Sequence, residues 1–304
     1  MTSPPPGPGP GPVRTYYGRP VLKRPVWKWY IPAYFFTGGI AAGSALLAAG
    51  GRVTGDDRLA RRCLVASSAA VATSGVLLVA DLGRPERFLN MLRVAKVTSP
   101  MSVGTWLLSA FGTATAAATV SELTGRGRRT GRVAEAVAAL LAPAMATYTA
   151  VLVADTAVPA WHDARHELPF VFAGGAAASA GALAVLMVPE SAAARRLAVG
   201  GAAVELAAAE VLERRLGEVG EAYHRGRAGT LKRLATAAGG TGGTLLAVAG
   251  RRRRAPQVAG ALLVLVGAAA ERFAVFEAGV ESAIDPAFTV GPQSHRLAAE
   301  SLAR

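Results

Sequence analysis

The sequence predicts an all-α, polytopic integral membrane bundle of about eight transmembrane helices, and three observations support this. Apolar residues make up 52% of the 304 residues and charged residues only 17%, against about 25% charged in soluble globular chains. The apolar residues gather into eight stretches, each of about 20 residues, the length needed to cross a hydrocarbon core of about 30 Å. The 33 Lys and Arg outnumber the 20 Asp and Glu, giving a formal charge of +13, and they cluster between the apolar stretches. That is the pattern of loop charge at a membrane surface. No aromatic-basic interleaving or nucleic-acid motif accompanies it, so nucleic acid is not an expected partner.

Residues 1–13, MTSPPPGPGPGPV, alternate Pro and Gly and are expected to form a disordered tail, which a basic lead-in extends to residue 28. They do not read as a signal peptide, because the first apolar stretch starts near Trp29, too late and too long. The transmembrane domain is placed at 29–284, with spans near 30–50, 61–80, 103–123, 133–154, 169–188, 195–213, 233–250 and 256–277. A C-terminal tail follows at 285–304. An even number of spans puts both termini on one side.

Several spans are rich in small residues: Gly38, Gly39, Gly43 and Ser44 in the first, Gly174, Gly175 and Gly181 in the fifth, Gly239, Gly240, Gly242 and Gly243 in the seventh. Small residues let helix backbones approach closely where lipid supplies no hydrophobic drive. The glycine run of the seventh span is not a nucleotide fingerprint, since no strand precedes it. The expected location is the plasma membrane. The raw count of loop Lys and Arg favours a cytoplasmic N-terminus, but the short loops on the other side carry the dense runs: Arg58, Arg61 and Arg62; Arg126, Arg128, Arg129 and Arg132; Arg251–Arg254. Dense runs in short loops are what cytoplasm retains, so both termini are expected outside.

The single cysteine, Cys63, excludes an intrachain disulfide, an iron-sulfur cluster and a thiolate zinc site, and reads as a small buried hydrophobe. The four histidines, His162, His166, His224 and His295, all lie away from the middle of an apolar span. No haem is therefore expected. Any redox role has to take its electrons from a partner.

The residues able to carry chemistry collect on the terminus side. The segment Asp81–Phe88, DLGRPERF, closes the second span with half its residues charged. Ionisable groups at the edge of the hydrocarbon are paired, hydrated or functional. An Asp81–Arg84 salt bridge that fixes the loop is one reading, and a proton relay is compatible with it. Trp27 and Trp29 read as interfacial belt residues. Tyr34 and Tyr148 lie deeper, where a buried phenol needs a partner. Glu205 and Glu210 in the sixth span and Glu271 with Arg272 in the eighth fit either a hydrated path through the bundle or mutual ion pairing.

Four strings carry a resemblance: YFFTGGIAAGSALLA in the first span, DLGRPERFLNMLRVAKVTSPMSVGTWLL across the second loop, YTAVLVADTAVPAW in the fourth span and RFAVFEAGVESAIDP near the C-terminus. Together they resemble the NrfD/polysulfide-reductase membrane-subunit family, over about residues 16–293. The resemblance implies an eight-helix, cofactor-free, quinone-binding subunit. Its partners would be a four-cluster ferredoxin-like iron-sulfur subunit and a molybdopterin catalytic subunit, and its exchangeable substrate a quinone, here menaquinone. It implies a quinone ring between Tyr34 and Tyr148, with Asp81 as proton relay and Arg84 and His162 as further contacts. Some members of the family carry a histidine where this chain has Tyr34, and a polar residue where it has Ile31. A proton path through Glu205, Glu210 and Arg272 is a further expectation. Arg84, Arg87 and the sixth loop, with Tyr223, His224, Arg225 and Arg227, are expected to form the docking surface. On these grounds the chain is expected to be a non-catalytic or quinone-reactive subunit. A secondary transporter or a purely structural membrane anchor are the rival readings.

Overall fold

The computed structural model describes residues 21–248 and 253–291. The tail expected at 1–13, the basic residues Arg251 and Arg252, and most of the C-terminal tail lie outside the described residues. Among the described residues there is no strand, and the helices follow in the order α1 (Tyr30–Val53), α2 (Asp57–Asp81), α3 (Arg87–Leu92), α4 (Pro100–Thr124), α5 (Arg128–Ala154), α6 (Pro159–His162), α7 (Leu168–Met187), α8 (Ala192–Leu216), α9 (Gly226–Val248) and α10 (Arg254–Ile284). A 3-10 turn, Gly217–Tyr223, joins α8 to α9.

The eight long helices coincide with the eight expected spans. Six of them, α1, α2, α4, α5, α7 and α10, are long and apolar enough to cross a membrane. The other two, α8 and α9, carry more charge, including Glu205, Glu210 and Glu213 on α8 and Lys232 and Arg233 on α9. Each runs antiparallel to an apolar neighbour. On α7 and α8, Gly181 meets the Ala198 backbone and Gly201 meets Ala178; on α9 and α10, Gly242 faces Gly260 and Val264, and Gly239 faces Gly267. A Cβ at Gly181, Gly201, Gly242 or Gly267 would collide with backbone, whereas one at Gly239 would have only ordinary contact with Leu206. The small residues of the fifth and seventh spans therefore set the interhelical distance, as the sequence predicts.

Helix ends follow local chemistry. The Asp56 carboxylate caps α2 by accepting from the Leu59 amide at 3.0 Å, and Ser191 caps α8 through the Ala194 amide at 3.3 Å. Proline opens α4, α6 and α7, where its missing N–H costs nothing. Of the six apolar spans, α1 and α7 are the most buried and α2 the least. The bundle thus centres on α1 and α7. Buried polar contacts tie the spans together: the Ser67 hydroxyl on α2 donates to the Ala41 carbonyl on α1 at 2.7 Å. Replacing Ser67 with alanine should lower stability by about 0.5–1.5 kcal/mol, read as a small fall in the thermal unfolding midpoint in detergent.

One face of the bundle gathers Tyr30, Asp81, Pro100, Ala154, the 3-10 turn and Ile284; the other gathers the short loops after α1, α4, α7 and α9. Cross-contacts confirm this sorting. Arg254 donates to the Val185 and Leu186 carbonyls, and Arg62 to that of Met187, all on the second face.

Candidate functional site

Tyr34, in the second turn of α1, is 1% exposed, and its hydroxyl has no hydrogen-bond partner among the described residues. Its ring lies 6.4 Å from that of Tyr148 on α5, tilted by 60°. Gly38 lies one turn further along α1, and the atoms nearest its missing Cβ are Met145 Cε, the Tyr34 ring and Ser74 Oγ. Ser74 and Thr37 exchange a 2.7 Å hydrogen bond beside it. On the far side of Tyr148, Gly104 of α4 accepts the phenol ring at a distance only a residue without a Cβ allows.

The loop motif has a mechanical role here. Gly83, with φ of +69°, adopts the left-handed conformation that turns the chain just past α2. The Ser102 hydroxyl donates to the Val94 carbonyl and accepts from the Lys96 amide, both at 2.9 Å, and the Trp106 indole reaches the same Val94 carbonyl at 3.2 Å. The TSPMSVGTW string therefore pins the loop with Ser102 and Trp106 and seats Tyr148 with Gly104.

Asp81 is half-buried, and its Oδ1 accepts the backbone N–H of Lys28 at 3.3 Å. The expected salt bridge to Arg84 does not form: among the described residues neither group makes an ion pair, and Arg84 points to solvent. The reason is geometric, since α2 ends at Asp81 and the turn at Gly83 removes the helical spacing that would bring the two together. His162 is exposed at the end of α6, with Nδ1 3.2 Å from the Ala154 carbonyl, and it opens on a cleft of about 960 Å³ with Asp155, Arg165, Arg215 and Phe288. The structure brings Tyr34 and Tyr148 together; Arg84 and His162 stand outside that pair.

Arg272 on α10 lies 2% exposed in the core. It donates to the Phe172 carbonyl at 2.7 Å, stands 4.0 Å over the Phe172 ring, and approaches Glu205 of α8 at 3.9 Å. Among the described residues Glu205 Oε1 and Arg272 Nη1 find no hydrogen-bond partner. The preceding residue, Glu271, turns toward α9 and binds Lys232 at 3.1 Å; Lys232 also binds Glu213 at 2.6 Å, and Glu213 meets exposed His224 at 3.1 Å. A row of ionisable groups thus runs from the terminus face to the middle of the bundle. Glu210 is not in it. It is exposed and paired with Arg214 at 2.8 Å, because five residues beyond Glu205 is about 140° around the helix. Sequence reasoning missed Lys232, which falls one residue before the apolar stretch assigned to α9.

Aromatic contacts connect the two regions. Tyr34 lies 5.9 Å from Phe35, and Phe35 lies 5.6 Å from Phe172, the ring beneath Arg272. The terminus face is closed by Trp161, whose indole donates to the Val275 carbonyl at 2.7 Å and stacks on Trp27 at 5.7 Å. Trp27 is therefore a packing residue, whereas Trp29 is 58% exposed, as a belt residue would be. Tyr223 also leaves the expected docking surface for the core, donating to the Ala160 carbonyl at 3.4 Å. Burial, with Glu271 and Glu213 nearby, pushes its phenol above the usual tyrosine range, so it stays a donor.

A family model described as polysulphide reductase, NrfD, matches residues 20–208. The chain belongs to the NrfD family. A search of curated proteins returned no match. Membership makes the chain a membrane subunit of an oxidoreductase complex, in a family that partners with iron-sulfur and molybdopterin subunits. The matched region holds Tyr34, Asp81, Arg84, Tyr148, His162 and Glu205. Glu210, Lys232, Glu271 and Arg272 lie beyond it.

Proposed function

We propose that this NrfD-family subunit exchanges electrons between a four-cluster ferredoxin-like partner, itself fed by a molybdopterin subunit, and menaquinone held between Tyr34 and Tyr148. The observation that carries this reading is the Tyr34 hydroxyl, a buried donor without a partner, beside a second phenol. A buried polar group left unpaired costs about 1–3 kcal/mol, and a quinone carbonyl would satisfy it. The residues fit the group in other respects too: an aromatic wall at Tyr148, an apolar body at Met145, and polar Thr37 and Ser74 within a turn.

Reduction of the quinone to the quinol consumes two electrons and two protons. The electrons come from the partner's iron-sulfur cluster and the protons from water, with Asp81, at the water-facing end of α2, as the relay. Arg84 and Arg87, both exposed, and Arg225 belong to the face proposed to receive the partner. Glu205 and Arg272, continued by Glu271, Lys232 and Glu213, are proposed as a separate hydrated path for charge. Phe35 and Phe172 stand between that row and Tyr34, and phenyl rings carry no protons.

Reconstitution with the partner subunits tests the reading. Tyr34→Phe, Tyr148→Phe and Asp81→Asn are each expected to lower quinone-linked turnover by about tenfold or more, with assembly of the complex unchanged. Wild-type rates in all three would remove the assignment. A transporter or a structural anchor would show no quinol-dependent reduction of the partner, and of the two only the transporter would move a solute into vesicles.

A further inference from the structure

On the face opposite the termini, a cavity of about 980 Å³ opens between α2, α4 and α5. We propose that it binds an anionic phospholipid, with the phosphate among Arg61, Arg128 and Arg132 and an acyl chain along the exposed side of α2.

Charge is the first argument. The lining holds six guanidiniums, from Arg52, Arg58, Arg61, Arg62, Arg128 and Arg132, against three carboxylates, from Asp57, Glu122 and Glu135. All three carboxylates bind one cation, Arg52. Arg58 is engaged by Glu190, and Arg62 by the Met187 carbonyl. Arg61, Arg128 and Arg132 have no ion-pair partner among the described residues. Two of them stand in the first turns of α5, a helix that begins at Gly127 with no side-chain cap and no acidic residue in its first turn. The positive end of a helix dipole and three guanidiniums without a paired carboxylate therefore share one cavity, whose lining of six guanidiniums and three carboxylates is net positive.

Shape decides which anion. Arg61, Val65 and Ala69 follow one another at four-residue spacing on α2, so they stack on one side of the helix over about 12 Å. Val65 is 38% exposed, and Ala66 and Ala118 complete an apolar wall below the arginines. Hydrogen bonds between Ser68 and Thr119, and from Thr119 to the Leu64 carbonyl, close the gap between α2 and α4 at that depth. A charged rim above an apolar rail matches an amphiphile. A free phosphate would use the rim alone.

The test uses the full chain, purified in detergent and delipidated, with phosphatidylglycerol, phosphatidylcholine and glycerol phosphate as probes. Binding is read by native mass spectrometry and by the shift in unfolding midpoint. Phosphatidylglycerol should be retained and should raise the midpoint, whereas phosphatidylcholine and glycerol phosphate at equal concentration should do neither. The triple variant Arg61→Gln, Arg128→Gln, Arg132→Gln should bind phosphatidylglycerol about a hundredfold more weakly. Arg225→Gln, on the opposite face, should bind like the wild type. Ala69→Trp fills the chain groove while leaving every arginine in place; it should also weaken binding, and it decides the matter alone if the triple variant does not fold. Equal binding of phosphatidylcholine, or undiminished binding by the triple variant and Ala69→Trp, would overturn the proposal. A full effect from glycerol phosphate would overturn the lipid in favour of a soluble phosphate compound.

Discussion

Lys232→Met is expected to destabilise the protein by about 3–5 kcal/mol, a fall of roughly 10 °C in the unfolding midpoint of the detergent-solubilised chain. Lys232 is 8% exposed and holds two carboxylates, Glu213 at 2.6 Å and Glu271 at 3.1 Å. Methionine matches its bulk, so packing is kept and only the charge is lost. Glu213 retains some solvent and a contact with His224, but Glu271 is 3% exposed and would face the interior without its cation. An unpaired buried charge is the costly outcome, more so than a missing pair. Adding Glu271→Gln to the variant should therefore recover much of the loss, and Lys232→Arg should stay near the wild type. A midpoint unchanged in Lys232→Met would show that the row is hydrated and that its geometry matters little for stability.

The same row bears on function. Its members come from α8, α9 and α10, the region where the family match ends within α8. Tyr34, Tyr148 and Asp81 come from α1, α2 and α5, inside the match. Phe35 and Phe172 bridge the two sets. The turnover defects expected for Tyr34→Phe and Asp81→Asn should thus appear without loss of stability, and the stability defect of Lys232→Met with a separable effect on turnover. Measuring both quantities on each variant distinguishes a quinone site from a structural ion row.

The eight helices could be read from the sequence because burial in lipid demands about 20 apolar residues in succession. Their ends could not. The sequence starts the seventh span at residue 233, whereas α9 begins at Gly226, because hydropathy counts Lys232 as a loop residue and cannot see Glu271 on another helix. Glu205 and Arg272 were legible as interior charges, but the sequence leaves open whether they pair or line a path; that Glu210 turns away follows from helical phase. Asp81 was legible as a carboxylate in need of a partner, but the partner is a backbone amide 53 positions away, and no residue pattern reports it. Trp27 and Trp29 show the same limit. Both have the composition of belt residues, and only the fold places Trp161 under one of them.

Arg52→Gln is the second large effect expected, a loss of about 3 kcal/mol or more, located on the face opposite the proposed quinone site. Arg52 closes α1, and its three nitrogens reach three helices: Nε contacts Glu135 of α5 at 3.2 Å, Nη1 contacts Asp57 of α2 at 2.7 Å, and Nη2 contacts Glu122 of α4. Only a guanidinium presents donors in three directions from one plane, so Arg52→Lys should recover part of the loss but not all of it. The exposed Asp57 contributes little to the penalty, since a solvated carboxylate tolerates losing its cation. Glu135, with 7% of its side chain exposed, contributes most. The double variant Arg52→Gln, Glu135→Gln should accordingly be more stable than Arg52→Gln alone, measured by unfolding midpoints in detergent. If the double variant is no better, the cluster acts through Glu122, and the junction of α1 with α4 holds this end of the bundle.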